Sequence, residues 1–265
     1  MLPRTPRRPQ FFYTTAPLPC PYLAGRTERK IVTELAGPDG EALHDRLSRA
    51  GFRRSHNIAY APVCPGCQAC VPIRIPAERF RPSRTQRRIA TANQDLVAEE
   101  RPARATAEQF ALFQRYQQAR HEDGDMAAMG FYDYRAMVED TPITTGVVEF
   151  RDGSGRLMMA CLTDWLSDGL SAVYSFFEPA EARRSLGTQA ILWLVERART
   201  ARLPYVYLGY WVPQSRKMAY KAGFHPAEVL IAGEWRLYRP PAEAGASLAE
   251  EALRRLTPLT SVPGG

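Results

Sequence analysis

The sequence has almost no lysine: of its 35 basic side chains only Lys30, Lys217 and Lys221 are lysines, and all the others are arginines. It contains no run of about 18 apolar residues, which excludes a bilayer-spanning helix. It lacks an even set of cysteines: there are five, three of them in one short turn, unlike the paired framework of a secreted disulfide scaffold. A reducing compartment fits that usage. The basic N-terminus, Met1 to Pro9, runs into Gln10-Phe11-Phe12-Tyr13-Thr14-Thr15 and not into an apolar stretch with a small-residue cleavage site, so a cytoplasmic protein is expected. Nucleophile-elbow, paired-histidine zinc and Walker patterns are missing too.

What is present describes a folded chain. The 265 residues are 45% hydrophobic and 24% charged, which excludes disorder throughout, a collagen or a coiled-coil rod. Net charge is +7 and the pI about 9.3. Guanidinium groups stay charged and pair bidentately with phosphate, so a nucleic-acid partner is open, although arginine also rises with genomic GC content.

The pattern along the chain predicts short strands around one helix: Phe11 to Thr15, Ile31 to Leu35, a helix over Glu41 to Ala50 closed by Gly51, Ile58 to Tyr60, and Val71 to Ile75. Ser83 with Gln86, and Thr106 with Gln109, are capping-box pairs that open helices. The second runs to about His121. Ile143 to Phe150, Leu157 to Trp165 and Leu170 to Phe177 read as an antiparallel meander broken at Asp152-Gly153 and Asp168-Gly169. An amphipathic helix over Leu186 to Arg199, a strand at Tyr205 to Leu208, a helix over Gln214 to Ala222 and a final strand over Val229 to Tyr238 complete an α+β layout with mainly antiparallel sheets. The expected division is a basic tail (1–10), an N-terminal half with the cysteine cluster (11–100), a C-terminal half (101–240) and a tail rich in Ala, Pro and Gly (241–265).

The meander followed by Arg184-Ser185-Leu186-Gly187-Thr188 at a helix start resembles a GNAT acyltransferase, whose glycine-bearing loop offers backbone N–H groups to a phosphate. Gln189 stands where an acetyl-CoA signature asks for a small residue, which argues against that donor. A longer series of blocks is more specific: Cys20-Pro21-Tyr22-Leu23, Gly25 to Lys30, Gly51-Phe52-Arg53-Arg54-Ser55 with Asn57 to Tyr60, Cys64 to Cys70, Ser83 to Arg88, Tyr174 to Phe177, Tyr205 to Val212, Lys217-Met218 and Tyr220-Lys221. In this order, over about residues 11 to 240, the chain resembles the bacterial aspartate/glutamate leucyltransferases of the N-degron pathway, relatives of arginyl-tRNA–protein transferases. His56 replaces a glutamine expected there, and Glu178 an aspartate. The resemblance implies two GNAT-like halves and transfer of leucine from leucyl-tRNA to proteins beginning with Asp or Glu, with no membrane and no DNA as partners.

An aminoacyl ester is already activated, and the acceptor's α-amine has a pKa near ~7.7 to 8, so alignment suffices and no covalent enzyme intermediate is expected. Arg53, Arg54, Arg84, Arg87 and Arg88 are candidate tRNA contacts, weighed against a solvated basic face. Some arginine must receive the acceptor's acidic side chain. Tyr174, Ser175 and Glu178 are candidate catalytic residues, with Glu178 as proton acceptor weighed against a helix-side surface carboxylate. Arg184 and Gly187 belong to the helix-start loop. Tyr210, Trp211, Lys217, Tyr220 and Lys221 are candidates to stack the terminal adenine and meet its phosphates, weighed against core packing. His121 is an acid/base candidate weighed against a helix C-terminal cap, the commoner role of a lone histidine there. Cys20, Cys64, Cys67 and Cys70 are candidate ligands for zinc or an iron–sulfur cluster, or reduced thiols that shape the acceptor site; Cys161 reads as core. The chemistry itself requires no cofactor. Arginine as donor, and a basic nucleic-acid-binding protein without catalysis, are the competing readings.

Overall fold

Strand pairing begins at Tyr13 in the computed structural model, which describes residues 9–122 and 124–238. In chain order come β1 (Tyr13–Thr14), β2 (Leu18–Pro19), β3 (Thr27–Glu28), β4 (Lys30–Glu34), α1 (Gly40–Arg49), β5 (Arg53–Ser55), β6 (Ile58–Pro62) and β7 (Val71–Pro76). α2 (Arg84–Ala92), β8 (Val97–Pro102), α3 (Ala107–Arg120) and α4 (Phe131–Glu139) follow. The remainder is β9 (Thr145–Arg151), β10 (Leu157–Leu166), β11 (Gly169–Phe177), α5 (Leu186–Thr200), β12 (Tyr205–Trp211), β13 (Glu228–Ile231) and β14 (Glu234–Leu237).

Among the described residues three sheets result: an antiparallel one ordered β1-β4-β6-β5, the short β2-β3 hairpin, and an eight-stranded sheet ordered β14-β13-β7-β12-β11-β10-β9-β8. Every pair in the large sheet is antiparallel except β11 with β12. One face packs on α5, where Leu186, Ala190, Ile191, Leu194, Val195 and Ala198 join Ile73, Ile75, Val206 and Leu208. The other face holds Leu112, Phe113 and Tyr116 of α3 and Tyr134, Met137 and Val138 of α4 against Leu162 and Phe176. Alternation along β10 sends successive side chains to these two faces.

Both expected capping boxes form, each with its side chain accepting from the N3 amide and its glutamine reaching back. The boundary expected near residue 100 does not separate two sheets, because β7 lies inside the large sheet between β12 and β13 and β8 forms its edge. The helix expected over Gln214 to Ala222 is only a 3-10 turn at Ala219–Gly223. The single strand expected over Val229 to Tyr238 is a hairpin, since Ala232 (φ 51°) and Gly233 (φ 80°) both adopt the left-handed backbone that a tight two-residue turn requires. The expected tails at 1–10 and 241–265 lie almost wholly outside the described residues.

Candidate functional site

β11 and β12 pair only through Gly169, Leu170 and Ser171 against Tyr205, Val206 and Tyr207. Beyond that point both strands change register against their outer neighbours, β11 opposite Leu162/Thr163 and β12 between Tyr207 and Tyr210. Such bulges bend strands, and here they leave backbone carbonyls without ladder partners. Arg53 of β5 fills the gap: its Nη1 donates to Leu208 O at 3.2 Å, and Nη2 to Ala172 O at 3.0 Å and Val173 O at 2.7 Å. Gly209 makes this fit possible, for it has φ +73° and a methyl group there would fall on the Arg53 guanidinium.

The predicted catalytic residues do not converge. Tyr174 turns toward α3, its hydroxyl accepting from Gln117 Nε2 at 2.6 Å. Phe176 sits on the same face, so Ser175 between them faces the α5 side, in register with Cys161. Glu178 is only 3% exposed and binds Arg156 at 2.7 Å and Arg115 at 3.1 Å while capping the Ala180 amide. Burial raises its pKa, but the bonds from Arg156, the Ala180 amide and Arg115 outweigh that and hold the carboxyl below its ordinary range. A carboxylate so stabilised is a poor proton acceptor, which corrects the role expected for Glu178.

Several predicted contacts with tRNA are also corrected. Arg54 is 4% exposed and forks onto Asp164, both bonds at 2.8 Å, so it is closed to phosphate. Arg53 is committed to the strand gap. Arg184 is tied to Asn93 at 2.9 Å and to Asp95, joining its turn to α2. Trp211 is buried against Tyr238, and Tyr210 is buried with its hydroxyl donated between Gly51 O and Tyr60 O, so neither ring is open to stack an adenine.

The remaining candidates do share one region. Arg84, Arg87 and Arg88 are exposed on the first turns of α2, and Gln86 of the same turn donates to Gly223 O at 3.1 Å. That bond sets the arginines beside the 3-10 turn carrying Tyr220, which is 48% exposed. Lys217 is exposed and meets His121 Nδ1 at 3.2 Å. Burial, then Lys217 and Arg120, lower the His121 pKa, so the ring is neutral at pH 7. His121 packs on Tyr116, Tyr116 on Phe177, and Phe177 lies 3.3 Å from where a side chain on Gly187 would project. The first turn of α5 has no side-chain cap, leaving amide donors free of side chains at its N-terminus.

Lys221 is 7% exposed and donates to Tyr210 O at 2.9 Å. Burial, then the Arg53 charge, push its pKa well down, and the Cys70 thiol opposes them.

Cys20, Cys64, Cys67 and Cys70 all line one pocket with Tyr22, Tyr60 and Tyr210. All four are free, and Cys64 Sγ accepts the Arg29 amide at 3.3 Å. Burial, reinforced by the other three thiols, raises Cys70 to about 12. The donor set suits a soft metal, but among the described residues no three His, Cys, Asp or Glu side chains stand where they could hold one ion. The arrangement therefore does not fit the expected metal site.

Residues 18–88 match the family model for the arginine-tRNA-protein transferase N terminus, and residues 108–231 that for its C terminus. An aspartate/glutamate leucyltransferase of Paramagnetospirillum magneticum is 63% identical over 88% of this chain and 96% of its own length. Those of Gluconacetobacter diazotrophicus and Granulibacter bethesdensis are 64% and 63% identical, over 87% and 94% of this chain and 89% and 92% of theirs. The chain belongs to the aspartate/glutamate leucyltransferase family. The two matched regions of this leucyltransferase chain meet near the expected boundary, yet both supply strands to one sheet. Solved L-PGS from Bacillus licheniformis shares 10% identity at a TM-score of 0.43 over 66% of this chain and 50% of its own, a likeness too slight to argue from.

Two features of the leucyltransferase site escaped the sequence. Gln117 had a readable signal, a polar residue eight positions after Gln109 on the apolar face of α3, where buried polar groups need partners. The contact between His121 and Lys217 spans 96 residues and had none.

Proposed function

We infer that the protein transfers leucine from leucyl-tRNA to the N-terminal α-amine of proteins that begin with Asp or Glu, marking them for degradation. The observation that carries this is the identity of 63% to 64%, over nearly full length, with proteins named for that activity. The geometry supports a GNAT-like reading of the fold. The parting of parallel β11 and β12, braced on one side by Arg53 and next to the uncapped α5 N-terminus, is where such a fold holds an acyl donor. The exposed arginines of α2, with Lys217 and Tyr220 beside them, form a basic ridge for the acceptor end of tRNA. A charged tRNA as donor implies a cytoplasmic reaction.

In the reaction the amine nitrogen bonds to the ester carbon, the bond to the 3′ oxygen breaks, and the amine proton ends on that oxygen. The acceptor needs no strong base, since about half of an α-amine with pKa near ~7.7 to 8 is neutral at that pH. Binding both reactants at one gap supplies the alignment, worth roughly 7 to 11 kcal/mol at best. The chemistry itself requires no cofactor. Ser175, facing the α5 side of the gap, is the hydroxyl best placed to relay the proton. The test is transfer of labelled leucine, with arginine in parallel, from charged tRNA to peptides beginning with Asp, Glu, Lys or Ala. Leucine is expected on the acidic peptides alone. Arginine transfer would change the donor, and transfer of neither would sink the enzyme.

A further inference from the structure

α3 buries two glutamines to the same depth, Gln109 and Gln117, each 1% exposed. Gln109 is fully used: its Nε2 donates to Glu149 at 2.8 Å, and its Oε1 accepts from the Thr106 amide at 3.2 Å and the Tyr134 hydroxyl at 3.0 Å. Gln117 is not. Its Nε2 donates to the Tyr174 hydroxyl at 2.6 Å, but its Oε1 is buried and has no partner among the described residues. Asp168 and Gln189 also carry a buried orphan oxygen, yet both residues are only half-buried, whereas Gln117 lies within the fold. A buried acceptor left open is costly, and native folds rarely leave one without a use.

The open oxygen belongs to a pair of side chains, and the pair stands beside the parting of β11 and β12. Opposite β10, Leu162 faces Tyr174 and Thr163 faces Ala172, so Val173 is an extra residue. Ala172 packs on the α5 side, whereas Val173 and Tyr174 both pack on the α3 side. The bulge thus turns two consecutive side chains to one face, and it does so where Arg53 holds the Val173 carbonyl at 2.7 Å. A phenol that accepts from Gln117 keeps its own proton to give, and none of the described residues takes it. One open acceptor and one open donor therefore lie on adjoining side chains. Phe110, Met126, Met129 and Val173 pack on the same cluster and are only partly buried. The buried acids on this side, Glu149 and Glu178, are already bound, the first by Arg151 and the second by Arg115 and Arg156.

We propose that Gln117 and Tyr174 receive the aminoacyl head of the donor: the leucyl α-ammonium donates to Gln117 Oε1, and the Tyr174 hydroxyl donates to the leucyl carbonyl. An α-aminoacyl group carries a donor and an acceptor on neighbouring carbons, which is the complement of what the pair leaves open. The apolar neighbours suit a leucine side chain, and no buried acid on this side is free for the guanidinium of an arginine donor. The assignment rests on the activity inferred above and adds how the donor amino acid is read.

The test reads the amine separately from turnover. Two stable analogues of the donor's end are bound by calorimetry: the 3′-leucylamide of 3′-amino-3′-deoxyadenosine, and the 4-methylpentanoyl amide, which lacks only the α-amine. The wild type should bind the leucyl compound about 10- to 100-fold more tightly, the range of a hydrogen bond to a charged group. Gln117→Met keeps the length of the side chain and removes the orphan oxygen, so its Tm should equal or exceed that of the wild type. It should bring the two compounds to equal affinity by weakening the leucyl one alone. Tyr174→Phe should weaken both compounds by about 2- to 10-fold and keep most of the preference for the amine. Equal wild-type affinity for the two compounds overturns the assignment whatever the variants do, and so does a Gln117→Met protein that keeps the wild-type preference. Should Gln117→Met instead raise KM for a peptide beginning with Asp and leave KM for leucyl-tRNA unchanged, the pair reads the acceptor's amine and the donor assignment falls. A protein that prefers the leucyl compound yet transfers leucine to no peptide would overturn the inferred activity and leave this assignment standing.

Discussion

Arg53 and Arg54 are neighbours in β5, and their side chains meet opposite surroundings. Arg54 enters a closed network in which Asp164 takes two of its bonds and His56 O another at 2.7 Å, Thr145 donates to the same carboxylate at 2.8 Å, and His44 lies 3.7 Å away. Burial keeps His44 neutral by lowering its pKa. Arg53 enters a strand gap where only carbonyl oxygens meet it. The first arginine is electrically complete within the fold. The second is met by carbonyl dipoles alone. One dipeptide thus holds the small sheet to the large one and also braces the parting of β11 and β12, and substitution should tell the two duties apart.

The largest effect is expected at the closed end. Arg54→Ala leaves Asp164 buried without its partner and should lower unfolding free energy by about 3 to 5 kcal/mol in a urea titration. Arg53→Lys should cost much less stability, since no buried carboxylate is stranded. Equal losses would erase the distinction. The open end should show itself in rate: Gly209→Ala forces a left-handed backbone on an L residue and drives a methyl group into Arg53, shifting the gap by a fraction of its width. Leucyl transfer should fall about 100-fold in a steady-state assay while circular dichroism stays unchanged.

How far the sequence reaches differs between these ends as well. Capping boxes, the meander and α5 were legible because they rest on local chemistry: a hydroxyl three residues before a glutamine, turn residues between alternating strands, and apolar positions at helical spacing. The candidate arginines were legible as charge, but their fates were not. Arg53 and Arg54 are indistinguishable in sequence, and what separates them is Asp164 in β10, 110 residues away, together with a bulge in a strand they do not belong to. The insertion of β7 between β12 and β13 is likewise a non-local pairing with no local signal. Glu178 looked like a free base because Arg115 and Arg156 come to it from α3 and the start of β10.

A smaller effect should mark the basic ridge. Replacing Arg84, Arg87 and Arg88 together by Gln should weaken leucyl-tRNA about 10-fold at moderate salt. It should also flatten the salt dependence by roughly two units of log–log slope, since each phosphate that an arginine neutralises adds about 0.7 to 0.9. Binding of acidic peptides should not change. A drop in peptide binding would show that the ridge receives the acceptor as well.

Smaller still is a dependence of stability on pH. Lys221 has a folded pKa below its ordinary value, through burial and then Arg53, so above the folded pKa the unfolded chain binds the extra proton and stability rises with pH until the ordinary lysine value near ~10.4 is passed. Lys221→Met should therefore be more stable than the wild type at pH 7, with the gap closing as pH climbs. Arg53 and Cys70 are the charged and titratable groups that act on it, and a gap that does not close would mean that Lys221 keeps its proton throughout.

The smallest expected effect is none at all, and it bears on the comparison most sharply. Treatment with a chelator, followed by elemental analysis for zinc and iron, should leave leucyl transfer within about twofold of its starting rate, because the four thiols share a pocket without standing around a common point. Stoichiometric metal, with activity abolished on its removal, would mean that the thiols close into a thiolate cluster. Such a cluster is anionic and would fill the pocket that the four thiols share with Tyr22, Tyr60 and Tyr210. The thiol pocket would then be as closed within the protein as the Arg54–Asp164 pair is.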